Sequence, residues 1–159
     1  TAELTAAEQQ SVKGAPASNV PASNVPIETG PLESAPAGQG GSQLLYLDTA
    51  AVAKAKSMMK RRFATMIEYF LEDTQNYIEQ INKGIENGDY TAIVVPAHTI
   101  KSSSRQMGAI TVSDLSKDLE ALARAEEVSF EKIRELTHQL QEQFDLSRID
   151  FNYLLSEAS

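Results

Sequence analysis

Cysteine is absent from the 159 residues, which removes disulfide stapling, thiolate nucleophiles and the sulfur ligands of structural zinc sites. With only two histidines left, no metal cluster is expected. The sequence also lacks any run of about 18 apolar residues, the minimum for a bilayer-spanning helix, and its amino terminus lacks the basic and apolar regions of a signal peptide. Positive charge is scarce: 14 Lys and Arg stand against 22 Asp and Glu, a net charge of -8. That is the wrong sign for holding a phosphate backbone by counterion release, so nucleic acid is not an expected partner. No glycine-rich phosphate loop is present, and hence no ATP site.

What is there divides near residue 44. Five of the six prolines, at 16, 21, 26, 31 and 36, and five of the eight glycines precede it, together with the tandem repeat ASNVP at 17–21 and 22–26. With few large apolar side chains to offset its ordering entropy, the stretch 1–43 reads as a flexible Pro/Gly/Ser-rich linker. The chain starts at Thr1 rather than at a methionine, which suggests a fragment or a processed product.

From residue 44 to 159 the pattern is helical, with no period-2 run long enough for a sheet. A short first helix is expected from the cap Asp48, carrying Val52, Met58 and Met59. The second draws its buried stripe through Phe63, Ile67, Phe70, Thr74, Tyr77, Ile81 and Ile85, and stops at Gly88, with Asp89 capping the third. Ile93, Ala97, Ile100, Ser104 and Met107 fall within about 80° at ~100° per residue and form the third stripe. Pro96 inside this helix costs about 3 kcal/mol unless the helix bends or restarts there, so a bend is expected just before His98. Gly108 suits a left-handed C-terminal cap, and Thr111 to Asp114 has capping-box spacing. A fourth helix then buries Leu115, Leu119 and Leu122. The fifth, capped by Ser129, buries Ile133, Leu136, Leu140 and Phe144, continuing through Phe151 to Leu154. The fold expected is all-α: an antiparallel up-and-down four-helix bundle with an additional short N-terminal helix, preceded by a disordered segment. It is expected to be monomeric.

The residues that carry chemistry lie in AHTIKSSSRQMGA, positions 97–109. His98 projects about 100° away from the apolar stripe, with Lys101, Ser102 and Arg105 on the same side at helical spacings. An exposed imidazole is neutral much of the time near pH 7 and can act as a nucleophile. A neighbouring ammonium disfavours the imidazolium and balances a transferred dianion. Serines beside the ring keep its approach low enough for another protein to reach it.

This stretch resembles the signature of histidine-containing phosphotransfer (HPt) domains, commonly written A-H-x-L-K-G-S-S-x-x-x-G-A. The similarity extends to FLEDTQNYIEQINKGIENGDY upstream and SDLSKDLEALA downstream, covering most of residues 48–126. The resemblance implies that His98 carries a phosphoryl group on the ring nitrogen distal to Cβ, exchanged with an aspartate of a receiver domain, and that Lys101 steadies it. It also implies a role for an acid or amide 22 residues after the histidine, here Glu120, in accepting a hydrogen bond from the other ring nitrogen. The alternative for Glu120 is an ordinary surface acid. No cofactor is expected on this chain, because Mg2+ would come with the receiver. The family's usual glycine after the lysine is Ser102 here, which either slows and narrows partner approach or adds a donor for the phosphate.

The resemblance further suggests the terminal module of a hybrid sensor kinase, located in the cytoplasm or forming the cytoplasmic part of a membrane-bound kinase. Two other readings are a receiver-binding bundle that accepts no phosphate, and the phosphoacceptor domain of a chemotaxis-type kinase. Receiver contacts are expected from the first helix, the start of the second and the exposed face of the third, with Val52 and Met59 as apolar contacts and Ser102 and Arg105 beside them. Arg105 is otherwise a solvated charge. His138 reads as an ordinary surface residue. The run Lys60-Arg61-Arg62 opposes the helix macrodipole unless an acidic partner meets it.

Overall fold

The structure, a computed structural model, describes residues 44–159. The expected linker, 1–43, lies outside the described residues. Five helices follow in order: α1 (Thr49–Met59), α2 (Phe63–Glu86), α3 (Thr91–Met107), α4 (Ile110–Ala123) and α5 (Phe130–Glu157). No strand occurs among the described residues.

Local chemistry explains most of the boundaries. The carboxylate of Asp48 accepts from the Ala51 N–H at 2.7 Å and so satisfies one of the orphan donors at the start of α1. Lys60, at φ 51°, ends α1, and Lys60–Arg62 form one turn of 3-10 helix leading into α2. After α2, Gly88 takes φ 65°. Tyr90 is the N-cap of α3 and makes no side-chain cap bond; Asp89, expected as the cap, lies one residue earlier, where its carboxylate accepts from the Thr91 hydroxyl and the Ala92 N–H, bonds that hold its pKa below the ordinary carboxylate range. Gly108 takes φ 88°, and the Ala109 N–H returns to the Ser104 carbonyl at 2.8 Å, closing α3 in a left-handed cap.

The helix expected to start at Thr111 starts earlier. The left-handed cap turns the chain so sharply that α4 begins at Ile110, with Ala109 at its N-cap and no side-chain cap. Asp114, expected to complete a capping box, pairs instead with Arg105 on α3. The bend expected at Pro96 does not take the form of a break. α3 runs unbroken from Thr91 to Met107 with the proline ring on its buried face, so packing offsets the one missing N–H bond.

α2, α3, α4 and α5 form a closed ring in which each helix packs on the next and α5 returns to α2, while α1 lies across α2 and α3. The side-chain pairs Arg105–Asp114 and His98–Glu120 show that residue numbers fall on α4 as they rise on α3, so the two run antiparallel. The core has Ile67, Ile78, Ile81, Ile93, Ile100, Leu119, Ile133, Leu140, Phe144 and Phe151 fully buried, each contributing about 1.5–3 kcal/mol of apolar transfer. Phe70 packs on Phe144 and Phe151 with centroids 6.2 and 5.2 Å apart.

The stripes drift from their expected lines. Ile78 rather than Tyr77 is buried on α2, and Thr137 rather than Leu136 on α5; Tyr77, Leu136 and Leu154 pack at the core's edge. On α4 the buried positions are Val112, Ser113, Ser116, Leu119, Glu120 and Ala123, with Leu115 and Leu122 only partly covered. The reason is local to the α3–α4 contact. Serines at 104, 113 and 116 let the two backbones approach, and the Ser113 hydroxyl donates to the Lys101 carbonyl at 2.8 Å. That rotation turns Glu120 inward.

Candidate functional site

His98, Lys101, Glu120 and Arg124 meet on the α3–α4 face. The His98 ring stands off the buried stripe, its side chain 57% exposed. Its Nδ1 lies 3.0 Å from Glu120 Oε1. Lys101 Nζ donates to Glu120 Oε2 at 2.6 Å, and Arg124 donates to Oε1 through Nε at 3.2 Å and Nη2 at 3.0 Å.

Glu120 is therefore not a surface acid. Its side chain is 10% exposed and carries four hydrogen-bond contacts from three residues. The Lys101 hydrogen bond, joined by those of His98 and Arg124, outweighs burial and holds the carboxyl at about 2. It is fully ionised near neutrality and can only accept. In the neutral ring the proton between them then sits on Nδ1, which leaves the lone pair on Nε2. Lys101 Nζ is also 3.4 Å from Nδ1, but two donors cannot bond each other, so the ammonium's short bond to Oε2 is the one that counts. Nε2, the distal nitrogen, takes no hydrogen bond from any described residue, and the side chain that carries it is more than half exposed.

The serines that follow bond to their own helix. Ser102 Oγ donates to the His98 carbonyl at 3.2 Å, and Ser103 Oγ to that of Thr99 at 3.0 Å. Their hydroxyls are thus occupied, and the side chains present small, low surfaces beside the ring. Arg105 pairs with Asp114 at 2.8 Å, both about three-fifths exposed.

Beside Lys101 and Ser102 an apolar groove of about 570 Å³ runs between α1 and α3, walled by Ala51, Ala55, Met58 and Met59 on one side. Met58 is 66% exposed. Val52, expected as a docking contact, is not on this surface. It is 5% exposed and packs on Gly108, where an added Cβ would come within 2.8 Å of its Cγ2, so it fastens α1 to the bundle. Met59 does reach the groove, half-buried. His138 is exposed on α5, apart from these residues.

Arg124 was not found from the sequence. Its only signal was the spacing Glu120–Arg124, four residues on one helix face, which is commonplace. Among the described residues no group of His, Asp and Glu could hold a metal ion, and no helix is long and apolar enough to cross a membrane.

The family model of the Hpt domain matches residues 65–146. Among solved structures, the chain is similar to histidine-containing phosphotransfer protein B from Pseudomonas aeruginosa PAO1, with 24% identity over 72% of this chain and 98% of that one and a TM-score of 0.66. It is also similar to the HPT domain from the Hpt sensor hybrid histidine kinase from Shewanella, with 15% identity over 72% of this chain and 97% of that one and a TM-score of 0.61. At such identities the structural likeness speaks for the fold. Comparison with curated proteins gave no match. Because the family model spans more than half of the 159 residues and contains the histidine, lysine and glutamate brought together here, the chain belongs to the Hpt domain family and serves histidine phosphotransfer in a phosphorelay.

Proposed function

We propose that Nε2 of His98 is the phosphoacceptor and that the donor and recipient are aspartates of receiver domains. The Nε2 lone pair attacks phosphorus, the P–O bond to the aspartyl carboxylate breaks, and the aspartate leaves as a carboxylate. The imidazole keeps its proton on Nδ1 and becomes cationic, and the Glu120 carboxylate already bonded there stabilises that charge. Lys101, within reach of both ring and carboxylate, balances the added phosphoryl charge. The reverse reaction returns the group to an aspartate. Mg2+ would be carried by the receiver, and positioning by the partner supplies much of the catalysis.

The observation that supports this reading is the 3.0 Å contact between Nδ1 and Glu120 on an exposed ring, which favours the tautomer with its lone pair on Nε2. The groove between α1 and α3 is the docking face. Its apolar floor and the rim cations Lys54, Lys101 and Arg105 suit a partner that presents carboxylates around a phosphoaspartate. With its Oγ turned to the His98 carbonyl, Ser102 in the place of the family's glycine adds bulk at the rim and no free donor. Incubation with a phosphorylated cognate receiver should label the wild type on an acid-labile phosphohistidine and leave His98→Gln unlabelled. Equal labelling of the two would remove the proposal.

A further inference from the structure

Asp150 is a buried carboxylate, 4% exposed, that the chemistry at His98 does not use. It lies on α5, and all its hydrogen bonds go to the backbone ahead of α1. Oδ1 accepts from the Leu45 N–H at 3.1 Å, and Oδ2 from the Tyr46 N–H at 2.6 Å and the Leu47 N–H at 3.0 Å. Three successive N–H groups in a bent, non-helical segment form a concave donor set that an anion completes. Leu47 is itself buried, so without the carboxylate its N–H would be left inside the protein with no partner.

α1 depends on this grip because it has few other fastenings. It packs on α2 and α3 and does not approach α5. Its entry is pinned from two sides: by Asp150 through residues 45–47, and by the α3–α4 turn, where the Asp48 N–H donates to the Gly108 carbonyl at 2.9 Å and Val52 seats on Gly108. From there α1 supplies Ala51, Lys54, Ala55, Met58 and Met59 to the groove beside Lys101 and Ser102. The ring of α2 to α5 closes without it.

We infer that Asp150 is a positioning residue for partner docking: by holding residues 45–47 it seats α1 and so sets the shape of the groove beside His98, without touching the groove or the reacting atoms. The inference rests on the docking role proposed above. It separates two functions within one small domain, since the α3–α4 face holds the acceptor and α5 governs, through residues 45–47 and α1, how well a partner fits.

The test compares wild type, Asp150→Asn and Asp150→Ala, with Asp145→Ala as an exposed control on the same helix. Hydrogen exchange should show amides of 45–59 losing protection in both Asp150 variants while those of α2 to α5 keep theirs. In single-turnover transfer from a phosphorylated receiver, the half-saturating receiver concentration should rise about tenfold, with the saturating rate within about twofold of wild type. Asn keeps one acceptor oxygen and should fall between Ala and wild type. The inference is overturned if α1 stays protected in Asp150→Ala, if all five helices lose protection together in both variants, or if the saturating rate falls while half-saturation does not move. A wild type that takes no label at all would sink the phosphocarrier reading instead, and the exchange data would still decide whether Asp150 holds α1.

Discussion

His98 Nδ1 sits 3.0 Å from an oxygen of Glu120, a residue 22 positions further on that belongs to the next helix and is bonded at the same time by Lys101 and Arg124. In the neutral ring the bond puts the proton on Nδ1 and leaves the lone pair on the other nitrogen. It also links the ring to a carboxylate that is held in place by two cations and does not have to be reorganised during transfer.

Replacing Glu120 with alanine should slow phosphoryl transfer to His98 about 10- to 100-fold, the size of effect found when a metal-bound histidine loses the carboxylate that orients it. Glu120→Gln retains an acceptor oxygen for Nδ1 and should lose less. Single-turnover label transfer at saturating receiver measures both.

The same carboxyl makes acid stability specific. Its folded value of about 2 is depressed from an ordinary 4.5, chiefly by the Lys101 hydrogen bond. A depressed acid contributes stability that is complete above the unfolded value and is lost as pH falls through the folded one. The stability advantage of wild type over Glu120→Gln should therefore be constant above about pH 5, shrink below pH 4.5 and flatten out near pH 2. Urea unfolding across that range provides the check.

Two glycines of left-handed conformation should respond differently to alanine. At Gly88, φ 65°, an added Cβ meets nothing within 4 Å, so the cost is the backbone term alone, about 1–2 kcal/mol. At Gly108, φ 88°, it would come 2.8 Å from Val52 Cγ2 and 3.2 Å from the Asp48 carbonyl. Overpacking there adds roughly 1–3 kcal/mol more. Denaturant midpoints of the two variants should differ accordingly, and Gly108→Ala should also weaken receiver binding because it displaces the start of α1.

Met58 is exposed at the groove wall, so its side chain adds little to folding. Met58→Lys should leave the thermal midpoint within a degree or so while weakening receiver binding about tenfold, as expected for an apolar contact near the centre of an interface. Val52→Ala, by contrast, removes buried volume and should destabilise the fold by about 1–3 kcal/mol. Calorimetry paired with binding isotherms separates the two effects.

Helix identity and order were open to reading because their cause is local. The stripe Ile93, Ala97, Ile100, Ser104, Met107 is a periodic pattern within one segment, and Asp48, Asp89 and Gly108 act on neighbours within a few residues. The same holds for His98 and Lys101, one turn apart off that stripe. The capping box expected at Thr111 misled because its acid had a better use across the turn, on Arg105. Leu115 and Leu122 look like core residues by hydropathy alone, yet serines at the α3–α4 contact rotate α4 so that Glu120 faces inward in their place.

By itself, then, the sequence determined the all-helical class, the caps at Asp48 and Gly108 and the exposed imidazole with its neighbouring cation, since each depends on side chains within a turn or two of one another, whereas Ser129 stands at the start of α5 without a side-chain cap bond. Only the tertiary structure decided that Glu120 is buried against His98, that Arg124 joins it, that Val52 faces inward and that Asp150 grips the backbone more than a hundred residues earlier. Those relationships are set by how closely separate helices approach and how far each rotates about its own axis, and that is fixed by packing among residues distant in the chain.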